Sequence, residues 1–78
     1  MSDLVNRAKL ILSRELNVDV GALLPNQRLR EDLGMDSIIA LNLIFAAERE
    51  LDLVIKEEDV VALVTVHDLE RLIDRVSD

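Results

Sequence analysis

Ser37 is the hydroxyl in this chain best placed for display. It follows Gly34, which interrupts what precedes it, and Asp36, a favoured helix N-cap, and an apolar helical run begins at Ile38. A serine in that position stands on the first turn of a helix, where a loop hands over to a regular element. As a nucleophile it lacks support. A catalytic serine needs a base and a third group to orient that base, and the only histidine is His67. His67 falls at the start of the final predicted helix, where a surface position is expected. With only Gly21 and Gly34 there is no glycine-rich phosphate loop. Glu57, Glu58 and Asp59 lack EF-hand spacing, and one run of adjacent acids does not make a metal site. The residues predict no catalytic group, no metal site and no enzyme. Ser37 is left either to start a helix beside Asp36 or to present its hydroxyl to something else.

The elements that position Ser37 are helical. Ser2 is the expected cap of a first helix, with Asp3 favourably placed against its dipole. Leu4, Ala8, Ile11, Leu12 and Leu16 then recur at helical spacing, and the helix is expected to end near Leu16-Asn17. Residues 17–36 form a long connection that contains Gly21, Pro25 and Gly34, and Pro25 breaks any helix running through it. A loop of that length in so small a chain is functional or pinned down. Val18, Val20, Leu23, Leu24, Leu29 and Leu33 are the expected pins, with a short helical turn around Val20–Leu24.

The second helix is predicted over 37–51. At 100° per residue, Ala40, Leu43, Ile44, Ala47 and Leu51 share one side, while Ile38, Leu41 and Phe45 cluster on another. A helix that is apolar on two sides is either central in its bundle or exposes one side. Enclosing a helix fully is hard in a small domain, so Ile38, Leu41 and Phe45 are expected to form an exposed patch for a partner. The alternative is that all of them are core. A short third helix is expected over 58–63, led by acids. Val60–Val64 has strand propensity, but no comparable strand is evident to pair with it. Thr65-Val66-His67-Asp68 has the layout of a capping box, and Val66, Leu69, Leu72, Ile73 and Val76 follow at helical spacing as a last helix. The fold expected is all-α: a small four-helix bundle, three main helices plus a short third one, with a long ordered loop between helices 1 and 2.

Composition limits what this bundle can do. At 78 residues the chain is read as one domain over residues 1–78. It has no cysteine, so neither disulfides nor thiolate metal sites hold it together. Half its residues are hydrophobic, nearly all aliphatic, with Phe45 the only aromatic. A formal charge of -7 makes nucleic acid and anionic membranes poor partners and favours proteins with basic patches. The first helix carries three bases against two acids, so the acidity lies elsewhere. There is no signal peptide pattern and no apolar run long enough to span a bilayer, so a cytoplasmic location is expected.

Asp32-Leu33-Gly34-Met35-Asp36-Ser37-Ile38 resembles the attachment motif of acyl carrier proteins, usually Asp-Leu-Gly-x-Asp-Ser-Leu. The order and lengths of the expected helices resemble that family along nearly the whole chain, as does Ile55 followed by acids and then Val64-Thr65-Val66. The resemblance implies that Ser37 carries a 4′-phosphopantetheine arm, transferred from coenzyme A by a phosphopantetheinyl transferase. It implies that Asp36 caps the helix and supports the transfer, and that the aliphatic core can shelter an acyl chain in some members. It also implies that the second and third helices face acyl-loading and acyl-processing enzymes of acyltransferase, ketosynthase or ligase type. On this chain those contacts fall on Ile38, Leu41, Phe45, Glu48, Val61 and Ala62. A monomer is expected.

Departures from the motif bear on partner choice. Position 38 is Ile rather than Leu, and Ile39, Asn42 and Arg49 stand where fatty-acid carriers often have acids. Recognition is then expected to lean on apolar contact more than on a run of carboxylates. That favours a carrier of a specialised pathway, polyketide or mixed, over a general fatty-acid-synthesis carrier. Met35-Asp36 differs from the Gly-Gly common in peptidyl carriers, although an aminoacyl or peptidyl carrier stays open. So does a cofactor-free acidic helical adaptor that docks through Ile38, Leu41 and Phe45.

Overall fold

A computed structural model of the chain describes residues 3–77. Its elements are α1 (Asp3–Leu16), a 3-10 turn at Val20–Ala22, α2 (Ser37–Leu51), α3 (Glu57–Val61) and α4 (Val66–Val76). This is the all-α bundle expected. α1 packs against both α2 and α4, and α3 leans chiefly on α2, with Asp59 reaching Arg75 of α4 at 3.6 Å. Leu12, Leu29, Leu43, Leu69 and Ile73 are fully enclosed at the centre. Among the described residues no helix is long and apolar enough to cross a membrane.

Each helix is ended by identifiable chemistry. At the close of α1, Asn17 adopts a left-handed φ of 57°. The Val18 N–H then reaches the Ser13 carbonyl at 3.0 Å and the Asn17 N–H the Arg14 carbonyl at 3.3 Å, a Schellman-type ending. Ser13 is buried, and its hydroxyl donates to the Leu10 carbonyl. The Ser2 cap lies outside the described residues. α4 opens on the complete capping box: Thr65 Oγ1 accepts the Asp68 N–H, and the Asp68 carboxylate accepts the Thr65 N–H. Three acids in the first turn of α3 favour its dipole in the absence of a side-chain cap.

Two expectations need correcting. Leu24 is not a pin of the long loop: it is 54% exposed, and its N–H bonds the Gln27 side chain instead. Leu23 and Leu29 are buried as expected, Val18, Val20 and Leu33 pack partly, and Met35 joins them in the core. α3 starts one residue earlier than expected and ends at Val61, after which Ala62 and Leu63 close in a turn on the carbonyls of Glu58 and Val60. The segment beyond α3 also finds a strand-like partner. Arg28 and Thr65 form an isolated antiparallel bridge, in which the Leu29 N–H reaches the Val64 carbonyl at 2.8 Å and the Val66 N–H the Gln27 carbonyl at 3.0 Å. The middle of the long loop is therefore sewn to the entry of α4.

Candidate functional site

The approach to Ser37 is a folded turn. The Asp32 carboxylate accepts the Arg28 N–H at 2.8 Å, and the Arg28 carbonyl takes the N–H groups of Asp32 and Leu33. The Arg28 N–H, helped by its guanidinium, holds the Asp32 carboxyl below the usual carboxylate range. Gly34 follows with φ +77°, a left-handed conformation that a side chain resists. The chain can then drop Met35 into the core, where its N–H donates to the Leu29 carbonyl at 2.9 Å. Asp36 comes out extended and caps α2, its Oδ1 accepting the Ile39 N–H at 2.8 Å.

Ser37 is consequently the first residue of α2, and it is exposed. Among the described residues no hydrogen bond uses its hydroxyl, and none engages the N–H groups of Ser37 and Ile38. The helix thus offers an unpartnered hydroxyl beside two orphan donors at the positive end of its dipole. Next to it lies a cleft of about 110 Å³ between α2 and α3. Ala40, Leu41 and Ile44 line it from α2 and Val60 and Val61 from α3, while Arg30 and Glu57 supply its charges. A larger hollow of about 360 Å³ lies between α3 and α4, but it is lined by Asp59, Asp68, Arg71 and Arg75 and does not include Ser37. His67 is exposed in the first turn of α4, with Nδ1 3.3 Å from Glu70, and it shares no bond with Ser37.

The sequence-derived contact residues divide into two groups. Ile38 is 70% exposed and Phe45 57%, and Leu41 is exposed beside them. On α3, Val61 is 58% exposed, and it lines the cleft together with Leu41. Ala62 is exposed at the end of α3. These five residues lie on the α2–α3 side of the molecule. Glu48 is half-buried, and its carboxylate accepts the Ile55 N–H at 3.4 Å, so it ties down the connection between α2 and α3. Arg30 escaped the sequence reading. Nothing local marks it, because only the turn at 28–35 and its bridge to Val64–Thr65 bring it beside Ser37.

An exposed, unpartnered serine hydroxyl at a helix N-terminus, with an apolar cleft alongside, suits a covalently attached arm. Comparison with known proteins agrees. A family model described as the phosphopantetheine attachment site matches residues 6–73. An acyl carrier protein of Karelsulcia muelleri (strain GWSS) is 31% identical over 78 residues, covering 100% of this chain and 94% of that protein. The chain belongs to the acyl carrier protein family. A solved structure described as an acyl carrier protein from Mycobacterium tuberculosis superposes on this carrier with a TM-score of 0.81 at 29% identity, covering 92% of this chain and 96% of that one. The molecule is a carrier rather than an enzyme, and its prosthetic group is 4′-phosphopantetheine. Such a carrier works with a phosphopantetheinyl transferase and with enzymes that handle acyl groups.

Proposed function

We propose that this carrier takes its arm on Ser37 and offers acyl groups to partner enzymes across the α2–α3 face. The observation that carries the reading is the exposed Ser37 hydroxyl, unbonded at the first position of α2. When attached, the arm supplies the thiol that this cysteine-free chain lacks and holds acyl groups as thioesters. The chain's own part is to position. Asp36 fixes the start of α2 and, as in the family motif, supports the transfer. The Ser37 and Ile38 N–H groups and the helix dipole favour the negative charge that phosphopantetheinylation places on the hydroxyl. Ile38, Leu41, Phe45, Val61 and Ala62 give partners an apolar footing, and Glu48 steadies the connection beneath it.

The pathway proposed is a specialised one, polyketide or related. Supporting this, α2 has no acid in its first turn, and it exposes Asn42 and Arg49 along its length. The reading includes a single carrier domain over residues 1–78, working as a monomer in the cytoplasm. Intact mass after incubation with coenzyme A, Mg²⁺ and a broad-specificity transferase tests it. The wild type gains one arm and Ser37→Ala gains none. A wild type that gains nothing, or a Ser37→Ala variant that still gains the arm, refutes the assignment. The mass of the protein from its own cell then identifies the cargo, acyl or aminoacyl, and an unmodified protein there favours the adaptor reading.

A further inference from the structure

The cleft beside Ser37 has one cation on its lining, Arg30, facing a single carboxylate, Glu57. Arg30 is not committed elsewhere. Arg14, Arg28, Arg49 and Arg75 each hold a carboxylate, whereas Arg30 forms no ion pair among the described residues, not even with Glu57. Its one bond runs from Nη1 to the Leu63 carbonyl at 3.4 Å. That long contact tethers the guanidinium to the end of α3 and leaves most of its donors unused. Glu31 and Asp32 are already paired with Arg28, whereas Asp36 beside Ser37 and Glu57 on the cleft have no ion pair among the described residues, in a chain of net charge -7. A new negative charge on Ser37 is repelled by both, and Arg30 is the cation on the cleft to offset them.

We propose that Arg30 positions the phosphodiester linking the arm to Ser37, drawing it toward α3 and away from Asp36. This rests on Ser37 as the attachment point. A guanidinium suits the task because its fork of N–H donors matches two phosphate oxygens at once, while the Leu63 carbonyl keeps it from wandering.

The test loads wild type, Arg30→Met and Arg30→Lys with the arm, using Ser37→Ala and intact mass to assign the site. The phosphorus NMR resonance of each loaded protein is then compared with that of the same protein unfolded in urea. Melting temperatures are measured before and after loading. In the wild type the resonance is displaced from its unfolded position. Arg30→Met loses the displacement, Arg30→Lys keeps part of it, and added salt weakens it in the wild type and in Arg30→Lys. The change in melting temperature on loading is less favourable in Arg30→Met than in wild type by about 2–5 °C. A purely structural role, through the Leu63 carbonyl, moves unloaded and loaded proteins equally and leaves the resonance alone, and that result overturns the inference while Ser37 stands. Absence of the arm from Ser37 overturns both.

Discussion

Leu24 and Leu29 are the same residue type five positions apart in one loop, and the fold treats them oppositely. Leu29 is fully buried, whereas Leu24 is 54% exposed. Truncating Leu29 to Ala removes three carbons, about 2.4 kcal/mol at 0.8 per buried CH₂. The cavity left behind adds to that, because the Leu29 backbone is pinned at both its N–H (to Val64) and its carbonyl (to Met35) and cannot slide in to fill it. The total expected is about 3–5 kcal/mol. A chain of this size has roughly 4–12 kcal/mol of stability in all. Leu29→Ala therefore lowers the melting temperature by on the order of 15–30 °C. Leu24→Ala changes stability by less than about 0.5 kcal/mol. Thermal and urea unfolding followed by circular dichroism read both. Equal costs at the two positions, or a Leu29→Ala loss below about 1 kcal/mol, would refute the claim that the loop is held through Leu29.

Three other outcomes follow. Asp68→Ala removes the acceptor for the Val64 and Thr65 N–H groups and costs about 1 kcal/mol at neutral pH. Those N–H groups hold the Asp68 carboxyl below its ordinary 3.8, so its contribution is complete above that pH and is lost as pH falls through the lowered folded value. The gap between wild type and variant, measured by unfolding across pH 2 to 7, should therefore close in acid; a constant gap contradicts the argument. Phe45→Ala weakens binding to a phosphopantetheinyl transferase about thirtyfold, at about 2 kcal/mol, and shifts the melting temperature little because the ring is mostly exposed. Wild-type affinity changes less than about threefold between ~0.05 and ~0.5 M salt, and a steep salt dependence would show that carboxylates dominate docking instead.

Much of this molecule was legible because its signals are local. Asp36 and the Thr65–Asp68 box are read from neighbours three residues apart, and both caps form as written. The split of α2 into a buried side and an exposed Ile38–Leu41–Phe45 side follows from 100° geometry, and the attachment motif is contiguous. What escaped depends on distant partners. Leu29 is buried where its backbone pairs with Val64 and Met35, whereas Leu24 turns on Gln27, and no loop periodicity encodes that. Met35 is buried because Gly34 reverses the chain above it, and Ala46 is buried on a third side of α2 that the two apolar faces do not mark. Glu48, expected among the partner contacts, also accepts the Ile55 N–H, a bond set by where the connection after α2 returns. Arg30 reaches Ser37's cleft by the same non-local route.

The bridge between Arg28 and Thr65 also makes the approach to Ser37 depend on a later part of the chain. The turn that sets Gly34, Met35 and Asp36 closes on the carbonyls of Arg28 and Leu29, and the residues on either side of Arg28 are bonded to Val64 and Val66 far downstream. The ground in front of Ser37 is thus anchored on the entry of α4 as well as on its own local bonds. Loosening the entry of α4 therefore loosens the approach to Ser37, although the rest of α2 and all of α3 lie between them in the sequence.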